Sequence, residues 1–295
     1  MRVGLYLPQA GPVATAEQVV TVAKATEESG FDSLWVFDHV VLREEYGTPY
    51  PYSEDGRLAI PTTANFVEPL TLLTYAAAVT SRVELGTAVL VAPMRAPVLH
   101  AKIMSSLDHL SGGRFILGAG VGWWKEEFEA LSMPFDRRGK RMDEYLRVLR
   151  DLWSNEYGSF KGKFYDTTGW ACNPKPAREV PIWLGGEDPA QLRRIGRFAD
   201  GWMANPYMLE RLESGFEAAQ QAAVEAGRDP ESLTLGINRV TVITRETMEQ
   251  ASEVLLGLKA RGVDHAIAIV NAAEPDVAGT IAEFGSTYLP SIQAG

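Results

Sequence analysis

Apolar and polar positions along the chain alternate between two periods. Short β-branched or apolar runs occupy residues 3–7, 33–37, 83–91, 115–121, 182–184, 202–204, 233–243 and 265–270, and a longer segment with helical spacing follows each of them. The first helix is opened by Thr15, with Gln18 three residues on in capping-box spacing. Val19, Val20, Val22, Ala23 and Ala25 give it one broad apolar stripe, and Gly30 stops it. Further helices are expected around 70–79, 97–110, 139–153, 189–198, 209–226, 246–260 and 275–288. Strands alternating with helices imply parallel pairing through right-handed crossovers. Eight such units predict an α/β fold, a (β/α)8 TIM barrel forming a single domain over residues 1–295. A doubly wound open sheet of the same units is the alternative, because closure leaves no mark on a sequence.

Two segments are longer than ordinary connections, one after strand 2 and one before strand 5. Residues 40–66 carry Tyr46, Tyr50 and Tyr52 and would lie over the C-terminal mouth of a barrel, where a loop of this length forms a lid. Residues 155–181 carry Phe160, Phe164, Tyr165 and Trp170 around Lys161-Gly162-Lys163, which predicts a small hairpin turning at Gly162. Whether that hairpin serves a site or decorates the surface is open.

Composition narrows the function classes. The chain has 295 residues, a formal net charge of −10, 46% apolar residues and a single cysteine, Cys172. Such a chain can bury a large core, and its charge argues against tracking a phosphate backbone, so no nucleic-acid partner is expected. One cysteine makes neither an intrachain disulfide nor a thiolate metal cage. No apolar stretch approaches the length of a membrane span, so a cytoplasmic protein without a membrane partner is expected.

Catalytic residues of a TIM barrel stand at the C-terminal ends of its strands. Here those ends are Pro8-Gln9, Asp38-His39, Leu90-Val91, the glycine string from Gly118 through Gly122 with Trp123-Trp124, Gly185-Gly186-Glu187-Asp188, Asn205-Pro206, Asn238-Arg239 and Asn271. No lysine for a Schiff base, no set of histidines for a metal and no nucleophile elbow stands there. Glycine, aromatic rings and one Asp-His pair remain, which suits an enzyme whose cofactor carries the chemistry. Gly118, Gly120 and Gly122 alternate, so their empty side-chain positions share one face and would leave a flat bay for a planar ring; barrel curvature or tight packing is the competing explanation. Gly185-Gly186 precedes a helix whose free N–H groups would attract an anion. His39 is the candidate proton donor or acceptor.

Four segments carry a family resemblance: GFDSLWVFDHVVL (30–42), EPLTLLTYAAAVTSRVELGTAVLVAPMRAPVLHAK (68–102), LDHLSGGRFILGAGVGWWKEEFEALSMPFDRRGKRMDEYLRVLRDLW (107–153) and PIWLGGEDPAQLRRIGRFADGW (181–202). In combination the chain resembles the bacterial luciferase-like flavin and deazaflavin oxidoreductases, in particular the coenzyme F420-dependent branch. The resemblance implies a TIM barrel, a homodimer, and F420, or alternatively FMN, over the C-terminal mouth. It implies a cis peptide at Ala88-Val89 behind the cofactor ring, and places Gly120, Val121 and Gly122 beside that ring. Gly185, Gly186 and Glu187 would lie at the cofactor phosphate, Asp38 at the ring's polar edge, and His39 on the substrate side as the catalytic residue. Sugar-phosphate dehydrogenases of this family carry a glutamate where this chain has Trp123, so a substrate requiring that acid is not expected. Trp123, Trp124 and Tyr46 would line an apolar substrate pocket. Arg95, Arg137, Arg138 and Lys140 are candidates for the acidic tail of F420. The expected function is hydride transfer to or from a small organic substrate. The alternatives are an FMN-dependent monooxygenase fed by a separate reductase, and a non-catalytic flavin-binding barrel.

Overall fold

Each apolar run becomes a strand buried along nearly its whole length, because helices cover one face and side chains fill the other. The computed structural model describes residues 1–53, 55–58 and 60–294, without the side chain of residue 208. Its strands are β1 (Arg2–Tyr6), β2 (Ser33–Val36), β3 (Glu84–Thr87), β4 (Leu90–Val91), β5 (Phe115–Gly120), β6 (Ile182–Gly185), β7 (Gly201–Ala204), β8 (Thr234–Ile237), β9 (Val242–Ile243) and β10 (His265–Val270). The order β1-β2-β3-β5-β6-β7-β8-β10 returns to β1 through the parallel register Arg2↔His265, so the eight-stranded sheet is closed and the open-sheet alternative fails. The runs 83–91 and 233–243 each form two strands rather than one. The first breaks at the cis peptide Ala88-Val89, after which β4 pairs with β5. The second breaks at Arg239, in the left-handed region at φ 53°, after which β9 pairs with β10.

Ten α-helices occupy the described residues: α1 (Ala16–Glu28), α2 (Pro69–Ala77), α3 (Pro97–Ser111), α4 (Lys125–Ala130), α5 (Arg138–Ser154), α6 (Pro189–Phe198), α7 (Leu212–Glu225), α8 (Met248–Ala260), α9 (Val277–Thr287) and α10 (Leu289–Gln293). Thr15 caps α1 by accepting from the Gln18 N–H at 3.2 Å, but the Gln18 side chain turns away to the Ala272 carbonyl, so only half of the capping box forms. No helix among the described residues is long and apolar enough to cross a membrane.

The 155–181 segment forms a tight turn with one bridge, Lys161↔Asp166, and no ladder. Two acids of α5 pin it: Glu144 accepts from the amides of Lys163, Phe164 and Tyr165, and Asp151 from Ser159, Phe160 and Thr167. It lies along α5 as a packed excursion.

The barrel interior is filled by Trp35, Ile116, Trp183, Met203 and Ile267, with Tyr6 and Ala88 at its upper end. Trp35 lies where side chains on its neighbours would stand: a Cβ on Gly4 or Gly86 would come within 2.5 Å or 2.3 Å of its indole. It stacks on Trp183 at 5.5 Å, and its Nε1 donates to Ser33 Oγ, which in turn contacts His265 Nε2 at 2.7 Å. Burial depresses His265 to about 3 and, helped by the nearby Arg95 charge, His100 to about 3 as well. Both are therefore neutral in the folded chain at pH values where the unfolded chain, near 6.5, protonates them. Unfolding then takes up protons, so stability falls as pH drops below about 6.5, by about 1.4 kcal/mol per pH unit for each histidine. Urea unfolding midpoints should decline between pH 6.5 and about 5, before unfolded carboxylates titrate, and His265→Gln should remove one proton's worth of that slope while lowering stability at pH 7.

Candidate active site

His39 follows β2 directly and is 8% exposed. Its Nδ1 lies 2.9 Å from Oε2 of Glu127 in α4. Glu127 is 3% exposed, and its other oxygen accepts from the Val40 amide at 2.5 Å and the Val41 amide at 3.3 Å. An ionised carboxylate only accepts, so Nδ1 carries the proton and Nε2 presents its lone pair. Nε2 has no hydrogen-bond partner among the described residues. A histidine oriented at one nitrogen by a buried carboxylate, with the other nitrogen open, has the arrangement of a general base that becomes a general acid.

Glu127 was absent from the expected site because α4 is short and lies far from His39 in sequence. The available signal was the Glu126-Glu127 doublet in the first turn after Trp123-Trp124, where a helix N-terminus favours acids. Glu126 holds the same loop one turn further on, its Oε1 accepting from the Gly47 amide at 2.7 Å and the Thr48 amide at 3.1 Å. Desolvation opposes its charge, but the hydrogen bonds from Thr48 and Gly47 outweigh that and hold the carboxyl down at about 2. The base and the middle of the 40–66 loop are thus fastened to α4 by adjacent carboxylates.

The aromatic residues expected in the pocket do meet. Trp123 and Trp124 stack at 5.2 Å, and His39 lies edge-on to Trp124 at 5.4 Å and to Phe66 at 5.8 Å. Tyr46 packs on Trp124 at 4.7 Å and Tyr50 on Trp123 at 5.2 Å. Trp124 is almost wholly buried and Trp123 half-buried, and both pack against tyrosines of the 40–66 loop. Gln9 closes the opposite side, donating to the Phe37 and Val67 carbonyls and accepting the Phe37 amide.

Several expectations need correction. Asp38 offers no carboxylate to a ring edge: Arg95 binds both its oxygens at 2.6 and 2.7 Å, the Val91 amide adds a third bond, and its side chain is 0% exposed. The same pairing removes Arg95 from the rim cations. Arg138 stays near the mouth, donating to the Gly122 carbonyl at 3.0 Å over the Phe135 ring. The glycine string leaves no empty bay. A Cβ on Gly118 would stand 1.8 Å from the Thr87 carbonyl oxygen, one on Gly120 2.8 Å from Val89, and one on Gly122 2.4 Å from Val91. The glycines let the β3–β4 segment press against β5, so tight packing is their reason. Gly185 serves the same side chain, its Cβ position lying 3.0 Å from Val89. The start of α6 is not a bare anion site either. Asp188 caps it, accepting from the Ala190 and Gln191 amides. The amides of Gly186, which has φ 107°, of exposed Glu187 and of Asp188 are the donors left there without a partner among the described residues.

The structure adds Arg239, which sequence reasoning left unassigned inside a strand-like run. Its guanidinium carbon lies 4.8 Å from the Phe37 ring centroid and 5.9 Å from that of Tyr6. Burial pushes the Tyr6 phenol up to about 12, partly offset by Arg239, and Tyr6 donates to the Ala88 carbonyl at 3.1 Å.

In Glu126→Ala, hydrogen exchange at the Gly47 and Thr48 amides should accelerate about 5- to 12-fold, one lost hydrogen bond being worth about 1–1.5 kcal/mol, while Val40 and Val41 remain protected by Glu127. Residue-resolved exchange by NMR reads both pairs at once.

Comparison with known proteins agrees with this architecture. An uncharacterized protein of Mycobacterium tuberculosis is 38% identical over 196 residues, covering 65% of this chain and 68% of its own. An FMNH2-dependent dimethylsulfone monooxygenase of Pseudomonas putida is 27% identical over 253 residues, covering 84% of this chain and 68% of its own. The fold superimposes on an F420-dependent secondary alcohol dehydrogenase, solved with an F420-acetone adduct, with a TM-score of 0.77 at 18% identity over 99% of both chains. Residues 1–283 match the luciferase-like monooxygenase family as a whole, and the chain belongs to that family.

Proposed function

We propose that this chain is an oxidoreductase that uses coenzyme F420 for hydride transfer to or from a small organic substrate bound between the barrel mouth and the 40–66 loop. The observation that carries the reading is the His39–Glu127 pair. Dehydrogenation of an alcohol, or reduction of a carbonyl, moves a proton as well as a hydride, and His39 is built to handle the proton. Its Nε2 accepts the hydroxyl proton as the carbonyl forms, and Glu127 steadies the imidazolium that results. In the reverse direction the same nitrogen returns it.

The mouth fits a planar group that bears an anion. Its floor is Val89, half-buried and cradled by Gly120 and Gly185, with Ala88 fixed from below by Tyr6. The unpartnered amides of Gly186 and Glu187 offer donors to a phosphate, and Arg138 stands beside Gly122. A deazaflavin held there supplies the two-electron hydride exchange that no side chain provides. Asp38, paired with Arg95, acts through position, holding the residue next to His39 and the Val91 amide. Trp123, Trp124 and Tyr46 keep water from the reacting centre.

A second reading is an FMN-dependent monooxygenase supplied with reduced flavin by a separate reductase. The sequence similarity to the FMNH2-dependent enzyme of Pseudomonas putida favours it. Titration with F420 and with FMN, followed by flavin or deazaflavin fluorescence, separates the two; binding of neither removes both. With the cofactor that binds, His39→Ala should lose about 10²–10⁴-fold in turnover at unchanged cofactor affinity. Glu127→Gln should lose less and move the pH profile. Turnover unchanged in His39→Ala means that this histidine is not the acid/base.

A dimer is part of the proposal. Leu99, Ile103 and Leu110 form an exposed stripe on α3, beside Tyr75 on α2. An apolar stripe of this kind suits an isologous contact with a second copy. Light scattering should give twice the chain mass, falling to one chain in Leu99→Glu/Leu110→Glu.

A further inference from the structure

We infer that Arg239 anchors a negatively charged group of the substrate, so that the pocket selects small organic acids with a planar or apolar body. The inference rests on the preceding reading for the location of the substrate, and adds its chemical class.

Arg239 stands just past the C-terminal end of β8, at the mouth. Asn238 fixes the turn that presents it, its amide and side-chain Nδ2 both donating to the Ala204 carbonyl at 3.2 and 3.0 Å. Arg239 itself takes the left-handed conformation, uncommon for a side chain of this size, which separates β8 from β9. The guanidinium lies against the Phe37 and Tyr6 rings. From the loop side Tyr50 comes close enough for the arginine charge to oppose the burial-driven rise of its phenol.

Eight of the twenty arginines pair with a carboxylate among the described residues. Arg2, Arg95, Arg150, Arg194, Arg245 and Arg261 each reach a carboxylate within 4.0 Å. Arg239 has no carboxylate at ion-pair distance among the described residues. Part of its N–H edge faces the Tyr6 and Tyr50 hydroxyls, and the remaining donors of a planar guanidinium, which has five, can meet a carboxylate or comparable oxyanion. Arg239 is itself exposed at the mouth, so a solute anion reaches its guanidinium without any rearrangement of the chain.

The contacts also order the site. His39 touches Phe66 at 5.8 Å, Phe66 touches Phe37 at 5.2 Å, and Phe37 carries Arg239 at 4.8 Å. The proton-handling nitrogen and the anion anchor thus flank a pair of rings. A substrate spanning them carries its acid at one end and its reacting carbon at the other, against an apolar middle.

Calorimetric titration with benzoate and with neutral benzamide tests this on the wild-type chain, Arg239→Gln and Arg239→Lys. The expected result is at least tenfold tighter binding of benzoate by wild type, loss of that preference in Arg239→Gln, and partial retention in Arg239→Lys. Equal affinities in wild type, or a preference that survives Arg239→Gln, overturns the inference. Affinities for F420 and FMN are measured on the same three proteins. If wild type binds neither cofactor, the oxidoreductase reading fails while the benzoate comparison stands on its own. If Arg239→Gln loses cofactor affinity but keeps the benzoate preference, Arg239 serves the cofactor and the inference is wrong.

Discussion

One buried carboxylate organises the mouth of this barrel. Glu127 sits at 3% exposure, where a charge persists only if its lone pairs are taken. They are taken by His39 Nδ1 and by the amides of Val40 and Val41. The same three bonds set the tautomer of the histidine, the direction in which the chain leaves β2, and the attachment of the long loop to α4. Removing the carboxylate would leave two amides and a ring nitrogen without partners in an aromatic enclosure, a larger loss than any one of those bonds is worth. The loop and His39 are therefore mechanically one unit, and Glu126 extends that unit to Gly47 and Thr48.

The glycines at the strand ends work by letting backbone approach backbone. Gly118 lets the Thr87 carbonyl close on β5, and Thr87 Oγ1 then bonds the Gly118 carbonyl at 2.7 Å. Gly120 and Gly185 leave a notch that Val89 fills. The surface offered upward is thus a supported valine and main chain. A ring resting there would meet apolar contacts on a floor that cannot sink, because the space beneath is occupied by Trp35 and Trp183. The glycines matter to the mouth at one remove, through the side chain they hold in place.

The architecture was legible because its signals are local. Strand runs, helical stripes, Gly30 as a stop, and the regular alternation of the two all survive in one dimension; counting eight units made a barrel the expectation, and only the β1–β10 pairing shows that it closes. The break inside 83–91 falls at the cis peptide that the resemblance implied, whereas the break inside 233–243, at Arg239, was not legible from the run itself. The aromatic wall and His39 could be placed from their positions at strand ends. Pairings between distant residues could not. Glu127 lies 88 residues from His39, and Arg95 lies 57 from Asp38. Nothing in the neighbourhood of Asp38 indicates that its charge is already spent. The same holds for Asp188, which reads as an obstacle to an anion but in fact consumes the helix donors that an anion would use.

These pairings decide what kind of chemistry the mouth can host. Asp38 is closed off by Arg95, Glu127 by His39 and two amides, and Asp188 by the start of α6. None of the three is free to attack a substrate or to share a proton with a second acid, so nucleophilic and paired-carboxylate mechanisms lose their reagents. Beside these stand the open side of one histidine, the arginines Arg138 and Arg239, the exposed Glu187 and a sheet of aromatic surface. A histidine can move a proton and an arginine can hold an anion, but neither can accept two electrons. The division of labour follows from that shortage. On the proposed reading the protein would position a substrate and manage its proton, and the electron pair would pass to a cofactor held over Val89.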